Sequence, residues 1–136
     1  MTRLLLDVNV VLDVLANREP FANEAGALLA RIERGEAQGI VAAHTVTTLH
    51  YLLVRELGKA RSRRILTDLL QIISVAAVDE DRLRYALEMN WSDFEDAVQA
   101  ACAEHSEADY IVTRDKTGFK KSPVRTVTPA EILALF

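Results

Sequence analysis

A chain of 136 residues, half apolar and 26% charged, has the size and composition of a single globular domain spanning 1–136, with room for a sizeable core. Its net charge of −4 excludes a protein that grips nucleic acid by global attraction, and its longest apolar run is far too short to cross a bilayer. A lone cysteine, Cys102, excludes an internal disulfide and a zinc ribbon and suits a cytoplasmic location.

Arg3 to Leu6 reads as a short buried strand. The apolar stretch stops at Asp7 with no small-residue cleavage site after it, so it is not read as a signal peptide. Asn9 to Ala16 has helical spacing, with Val10, Val11, Val14 and Leu15 on one side and Asp13 expected to be solvated or capping. Pro20 is placed as an early residue of the next helix, which carries Phe21, Ala25, Leu28, Leu29 and Ile32 and ends at Gly35. Gly39 to Ala43 predicts a second strand. Thr45 then caps a helix burying Leu49, Leu52, Leu53 and Leu57, and Gly58 ends it. A further helix runs from Lys59 to Ile73.

Val75 to Val78 predicts a third strand, and Asp79 a cap for the helix that follows. Ser92 or Asp93 opens a long helix rich in small residues. Tyr110 to Thr113 and Val124 to Val127 predict two more strands, and Pro129 starts the last helix. Strands alternating with helices imply an α/β fold: a three-layer α/β/α sandwich around a parallel sheet of four or five strands.

Three acidic spots fall where such a sheet would gather them. Asp7 follows the first strand, Asp93 and Asp96 open a helix on one face, and Asp115 follows the fourth strand. Ligands bind at the carboxyl ends of strands in open α/β sheets. Carboxylates meeting there need neutralising, and a divalent cation does so. Each position also has a plain structural role: Asp7 as a helix cap, Asp93 and Asp96 as complements to a helix dipole, Asp115 as a turn residue. Glu95 is expected to point elsewhere. Asn9 is expected to cap the first helix or to hold Asp7 in orientation. Thr113 is expected to fix a carboxylate or touch a phosphate. Arg114, Lys116, Lys120 and Lys121 either form a solvated surface or contact a polynucleotide backbone. The three histidines lack the spacing of helical zinc ligands.

In order along the chain, Leu4-Leu5-Leu6-Asp7-Val8-Asn9, Asp93-Phe94-Glu95-Asp96-Ala97-Val98, Asp109-Tyr110-Ile111-Val112-Thr113-Arg114-Asp115 and Val127-Thr128-Pro129-Ala130-Glu131 resemble the PIN-domain nucleases. A compact single-domain chain of this kind is most similar to the VapC-type toxin ribonucleases of toxin–antitoxin pairs. The resemblance implies an acidic pocket that binds Mg²⁺ or Mn²⁺ and hydrolyses RNA. By motif match Asp7, Asp96 and Asp115 hold the metal and carry catalysis, with Asp93 an addition. Asn9, Thr113, Arg114 and Lys116 lie on the substrate side. It further implies an antitoxin partner and a homodimer. Two departures stand out. His50 falls where the family usually has a Glu, which suits softer metals, and Gly118 stands where many relatives carry an Asp. Two rival readings follow: a weak or inactive PIN-like RNA- or protein-binding domain, and a phosphatase or phosphotransfer domain with a similar acidic edge.

Overall fold

The computed structural model describes residues 1–136. Five strands, β1 (Arg3–Leu6), β2 (Gln38–Ala42), β3 (Ser74–Ala76), β4 (Tyr110–Val112) and β5 (Thr126–Val127), form one sheet in the order β3-β2-β1-β4-β5. Every pairing is parallel. The helices are α1 (Val8–Leu15), α2 (Ala22–Glu33), α3 (Ala43–Leu57), α4 (Lys59–Leu69), α5 (Glu80–Met89), α6 (Phe94–His105) and α7 (Pro129–Ala134).

Strand β1 shows why the sheet is covered on both faces. Leu4 and Leu6 enter one core cluster and Leu5 the other, since successive side chains leave opposite faces of a strand. The first cluster lies under α1, α2, α3, α4 and α7, and the second under α5 and α6. Ala97, Ala100, Ala101 and Ala103 are all buried, which lets α6 lie close on the sheet. The expected three-layer architecture is the observed one.

Several local expectations shift for physical reasons. The helix of α1 begins at Val8, directly from the strand exit, and Asp7 does not cap it with its side chain. Thr45 is not a cap either. α3 starts at Ala43 out of the extended backbone of Ala42, and Thr45 is buried one turn inside. Pro20 lies outside α2, which begins at Ala22. α4 ends at Leu69 rather than Ile73, and Ile73 turns into the core as the chain approaches β3. β3 is a short edge strand with Ser74 and Val75 exposed, and β5 is reduced to two residues on the other edge. Asp79 does cap α5, accepting from the backbone N–H of Arg82.

The connections decide where a site forms. From β1 the chain moves outward to β2 and β3, then returns to place β4 on the other side of β1. The order of the strands therefore reverses at β1, and a crevice opens between the carboxyl ends of β1 and β4. Asp7 stands at one of these ends and Thr113 at the other.

Candidate active site

Asp7 leaves β1 in extended backbone, and its own N–H donates to the carbonyl of Val112 on β4 at 2.9 Å. Its side chain is 4% exposed and turns inward. Oδ1 accepts from the Gln99 amide at 3.0 Å, and Oδ2 accepts from the Thr113 hydroxyl at 2.9 Å. Thr113 in turn accepts from the Asp115 N–H at 3.1 Å, which ties the turn after β4 to the same carboxylate. A buried carboxylate needs such partners, and here all of them are neutral. No cation stands among the partners of Asp7, and its carboxylate acts on Glu95 and Asp96 beside it.

The orienting residue is Gln99, not Asn9. Asn9 lies in the first turn of α1 and makes no side-chain hydrogen bond to Asp7, whereas Gln99 on α6 is wholly buried. A buried glutamine among alanines on a helix was the signal available in the chain for this residue.

The same helix brings more charge. Asp96 is half-buried at the start of α6, and its carboxyl is pushed up to about 7. Burial is the first cause, followed by the neighbouring carboxylates of Asp93, Asp7, Glu95 and Asp115. Glu95 was expected to point away. It stands four residues before Gln99, hence on the same helix face, and burial together with Asp7 and Asp93 raises its carboxyl. It belongs to the acidic group that the chain's spacing was read to omit.

Asp93 and Asp115 form an outer, exposed pair. One oxygen of Asp93 caps α6 through the N–H of Asp96 at 3.1 Å. One oxygen of Asp115 accepts from the N–H of Thr117 at 3.1 Å, opening a 3-10 turn over Lys116–Phe119. The capping and turn roles are thus realised at these two positions, and both carboxylates are still close enough to raise that of Asp96.

Gly118 in that 3-10 turn has a direct bearing on the pocket. A Cβ built there would lie 2.5 Å from Oδ2 of Asp96. The absence of a side chain at this position is what leaves room for the Asp96 carboxylate.

Two of the basic residues expected near substrate, Arg114 and Lys116, have other partners. Arg114 donates to Asp13 at 2.8 Å and lies 4.2 Å over the ring of Phe21. Asp13 is 1% exposed and also pairs with Arg18 at 3.3 Å, so it is neither solvated nor a cap. Removing water from Asp13 demands these cations, and Arg114 is committed to the fold. Its replacement by Ala is expected to destabilise the protein by about 3 kcal/mol in chemical denaturation, because a buried charge loses one partner. A change within about 0.5 kcal/mol, the usual effect at an exposed position, would instead make Arg114 an idle surface cation. Lys116 pairs with Glu131 at 3.0 Å on the surface.

Neither His44 nor His50 is among the groups that shift Glu95 or Asp96. His44 stands where β2 gives way to α3, with both ring nitrogens buried and without hydrogen-bond partners, and burial lowers its pKa. His50 lies six residues farther along α3, half-buried. Every charged neighbour that shifts Asp96 is a carboxylate.

No three acidic, histidine or cysteine side chains stand in position to grip a single ion in their present rotamers. The donor chemistry still fits a hard divalent cation. The available donors are carboxylate oxygens, no thiol or imidazole is among them, and their mutual repulsion would be relieved by positive charge.

A PIN domain family model matches residues 3–117. Comparison with curated proteins finds no match. Among solved structures, the chain is similar to DNA-bound VapBC from Salmonella typhimurium, with 15% identity over 95% of this chain and 99% of that one, at a TM-score of 0.73. It is also similar to a toxin–antitoxin complex from Klebsiella pneumoniae (21% identity, 92% and 96% coverage, TM-score 0.69). A third similar structure is VapC20 of Mycobacterium tuberculosis, a sarcin–ricin loop cleaving toxin (16% identity, 85% and 92% coverage, TM-score 0.69). At these identities the structures show a shared fold. Because the family match spans most of its length, this chain belongs to the PIN domain family.

Proposed function

We propose that this protein is a metal-dependent endoribonuclease and the toxin half of a toxin–antitoxin pair. The observation that carries the reading is the buried, cation-free carboxylate of Asp7, held by Gln99 and Thr113 and crowded by Glu95 and Asp96. A fold gains no stability from repelling acids in a crevice, so such an arrangement points to a ligand of opposite charge. Asp7 and Asp96 would hold Mg²⁺ or Mn²⁺ from the inside, with Asp93 and Asp115 at its outer side. When bound, the ion supplies an acidified water and neutralises charge on the phosphate under attack. The protein's own part is positional. Gln99 and Thr113 lock the Asp7 rotamer, and Gly118 leaves space for Asp96, so that the two carboxylates stand ready to hold the ion.

The partners follow from the same reading. The solved toxin–antitoxin complex of the same fold supports an antitoxin partner, and the acidic groove is the surface we assign to it. A homodimer in the cytoplasm completes the proposal. No helix of the chain is long and apolar enough to cross a membrane.

The test is cleavage of single-stranded RNA by the purified chain. Cleavage is expected with Mn²⁺ or Mg²⁺ and is expected to stop with EDTA. Cleavage that persists unchanged in EDTA would reject the metal. No cleavage under any condition, with RNA still bound, would favour the inactive binding domain.

A further inference from the structure

A cleft of about 250 Å³ adjoins the acidic crevice on its outer side, lined by Asn90, Trp91, Ser92, Thr117, Lys120 and Lys121, with Asp93 and Gly118 at the border. The two borders matter. Asp93 belongs to the acidic group, and Gly118 touches the space of Asp96, so the cleft and the acids share a wall. We propose that this cleft binds the nucleotide next to the scissile phosphate of a single-stranded RNA, with its base against Trp91 and a backbone phosphate between Lys120 and Lys121. The inference rests on the nuclease reading above and names how that site would hold its strand.

Three observations support it. Trp91 is fixed as a wall, because the buried ring of Phe119 meets it edge-on at 6.1 Å and 82°. A rigid aromatic face is the element that holds an unpaired base without regard to sequence. Lys120 and Lys121 are exposed and take no part in the chain's eight ion pairs, unlike Lys116 beside them. In a protein of net charge −4 with repelling acids at its centre, a polyanion needs local cations to approach. The remaining lining supplies amide and hydroxyl groups suited to a sugar and a base edge. The cleft lies below the usual size of small-molecule pockets, about 300–1,000 Å³, and suits one splayed nucleotide rather than a stacked pair.

Trp91 is the only tryptophan, so its fluorescence reports on this cleft alone. The experiment titrates the full chain, held in EDTA to prevent cleavage, with a single-stranded RNA of about eight nucleotides. Saturable quenching is expected, and a fully paired RNA stem of the same length is expected to give none. Replacing Lys120 and Lys121 together by Ala is expected to weaken binding about tenfold. It should also make the salt dependence shallower by about 0.7 in log–log slope for each lysine. Trp91→Leu keeps an apolar wall behind Phe119 and is expected to weaken binding of a fluorescein-labelled RNA about tenfold, with an unchanged circular dichroism spectrum. No quenching by single strands, or equal quenching by the stem, overturns the proposal. So does metal-dependent cleavage whose KM is the same in the lysine variant and the parent, which leaves the nuclease reading standing. Quenching with no cleavage at any metal concentration upholds the cleft and removes the nuclease.

Discussion

Asp7→Asn is expected to leave a folded protein that has lost cleavage by at least about a thousandfold, equivalent to about 4 kcal/mol of transition-state stabilisation. The substitution keeps size and shape, so the crevice does not collapse. Its amide can be accommodated because Oε1 of Gln99 is buried without a partner and can accept a hydrogen bond if the Gln99 amide turns over. Asp7→Ala is the contrasting case. It strands the Gln99 amide in the interior, at a cost of about 1 kcal/mol, while the Thr113 hydroxyl still has the Asp115 carbonyl as acceptor at 3.3 Å. Circular dichroism melting separates the two variants, and a cleavage assay with Mn²⁺ should find both inactive. If Asp7→Asn cleaves within tenfold of the parent, the buried carboxylate is structural and the active site lies elsewhere.

Asp96→Asn is expected to do the reverse to stability, raising it while abolishing activity. The carboxyl of Asp96 titrates at about 7 in the folded chain, against an ordinary value of 3.8. The folded state therefore holds this proton more tightly than the unfolded state. Below about pH 4 both states are protonated and the group costs nothing. As pH rises from about 4 to 7 the unfolded chain releases the proton first and stability falls, and above 7 the penalty is complete. Asn carries no such penalty. At pH 8 without divalent ions the variant should be more stable by about 2 kcal/mol, allowing for the water that reaches a half-buried group, and should melt about 5–10 °C higher. At pH 4 the two should coincide. Mg²⁺ or Mn²⁺ should raise the melting temperature of the parent at pH 8, and the gain should shrink as Asp96 becomes protonated. A variant no more stable than the parent at pH 8 would mean that Asp96 faces solvent and that the acids do not converge.

Much of the architecture was open to inspection in the linear chain. Alternating apolar runs and helical periods placed four or five strands and the helices between them, since β1 must be apolar on both sides to sit mid-sheet. Glycine, proline and capping residues marked most ends. The ends expected at Pro20, Thr45, Ile73, Val78 and Val124 lie elsewhere in the structure. The acidic positions Asp7, Asp93, Asp96 and Asp115 were also legible as candidates, although each had a capping, dipole or turn role as well, and those roles are realised at Asp93 and Asp115.

The partners of those acids were not readable. Whether Asp7 answers to Asn9, two residues away, or to Gln99, 92 residues away, depends on how α6 lies across the sheet. Glu95 joins the pocket, and Arg114 leaves the substrate side for Asp13, through the same long-range packing. Local sequence determines which backbone shapes and apolar faces are possible, since those rest on torsional preference and burial within a few residues. Charge pairing is decided by distance in space and by the loss of water around each group. Both come into being only when β1, β4 and α6 have closed on one another.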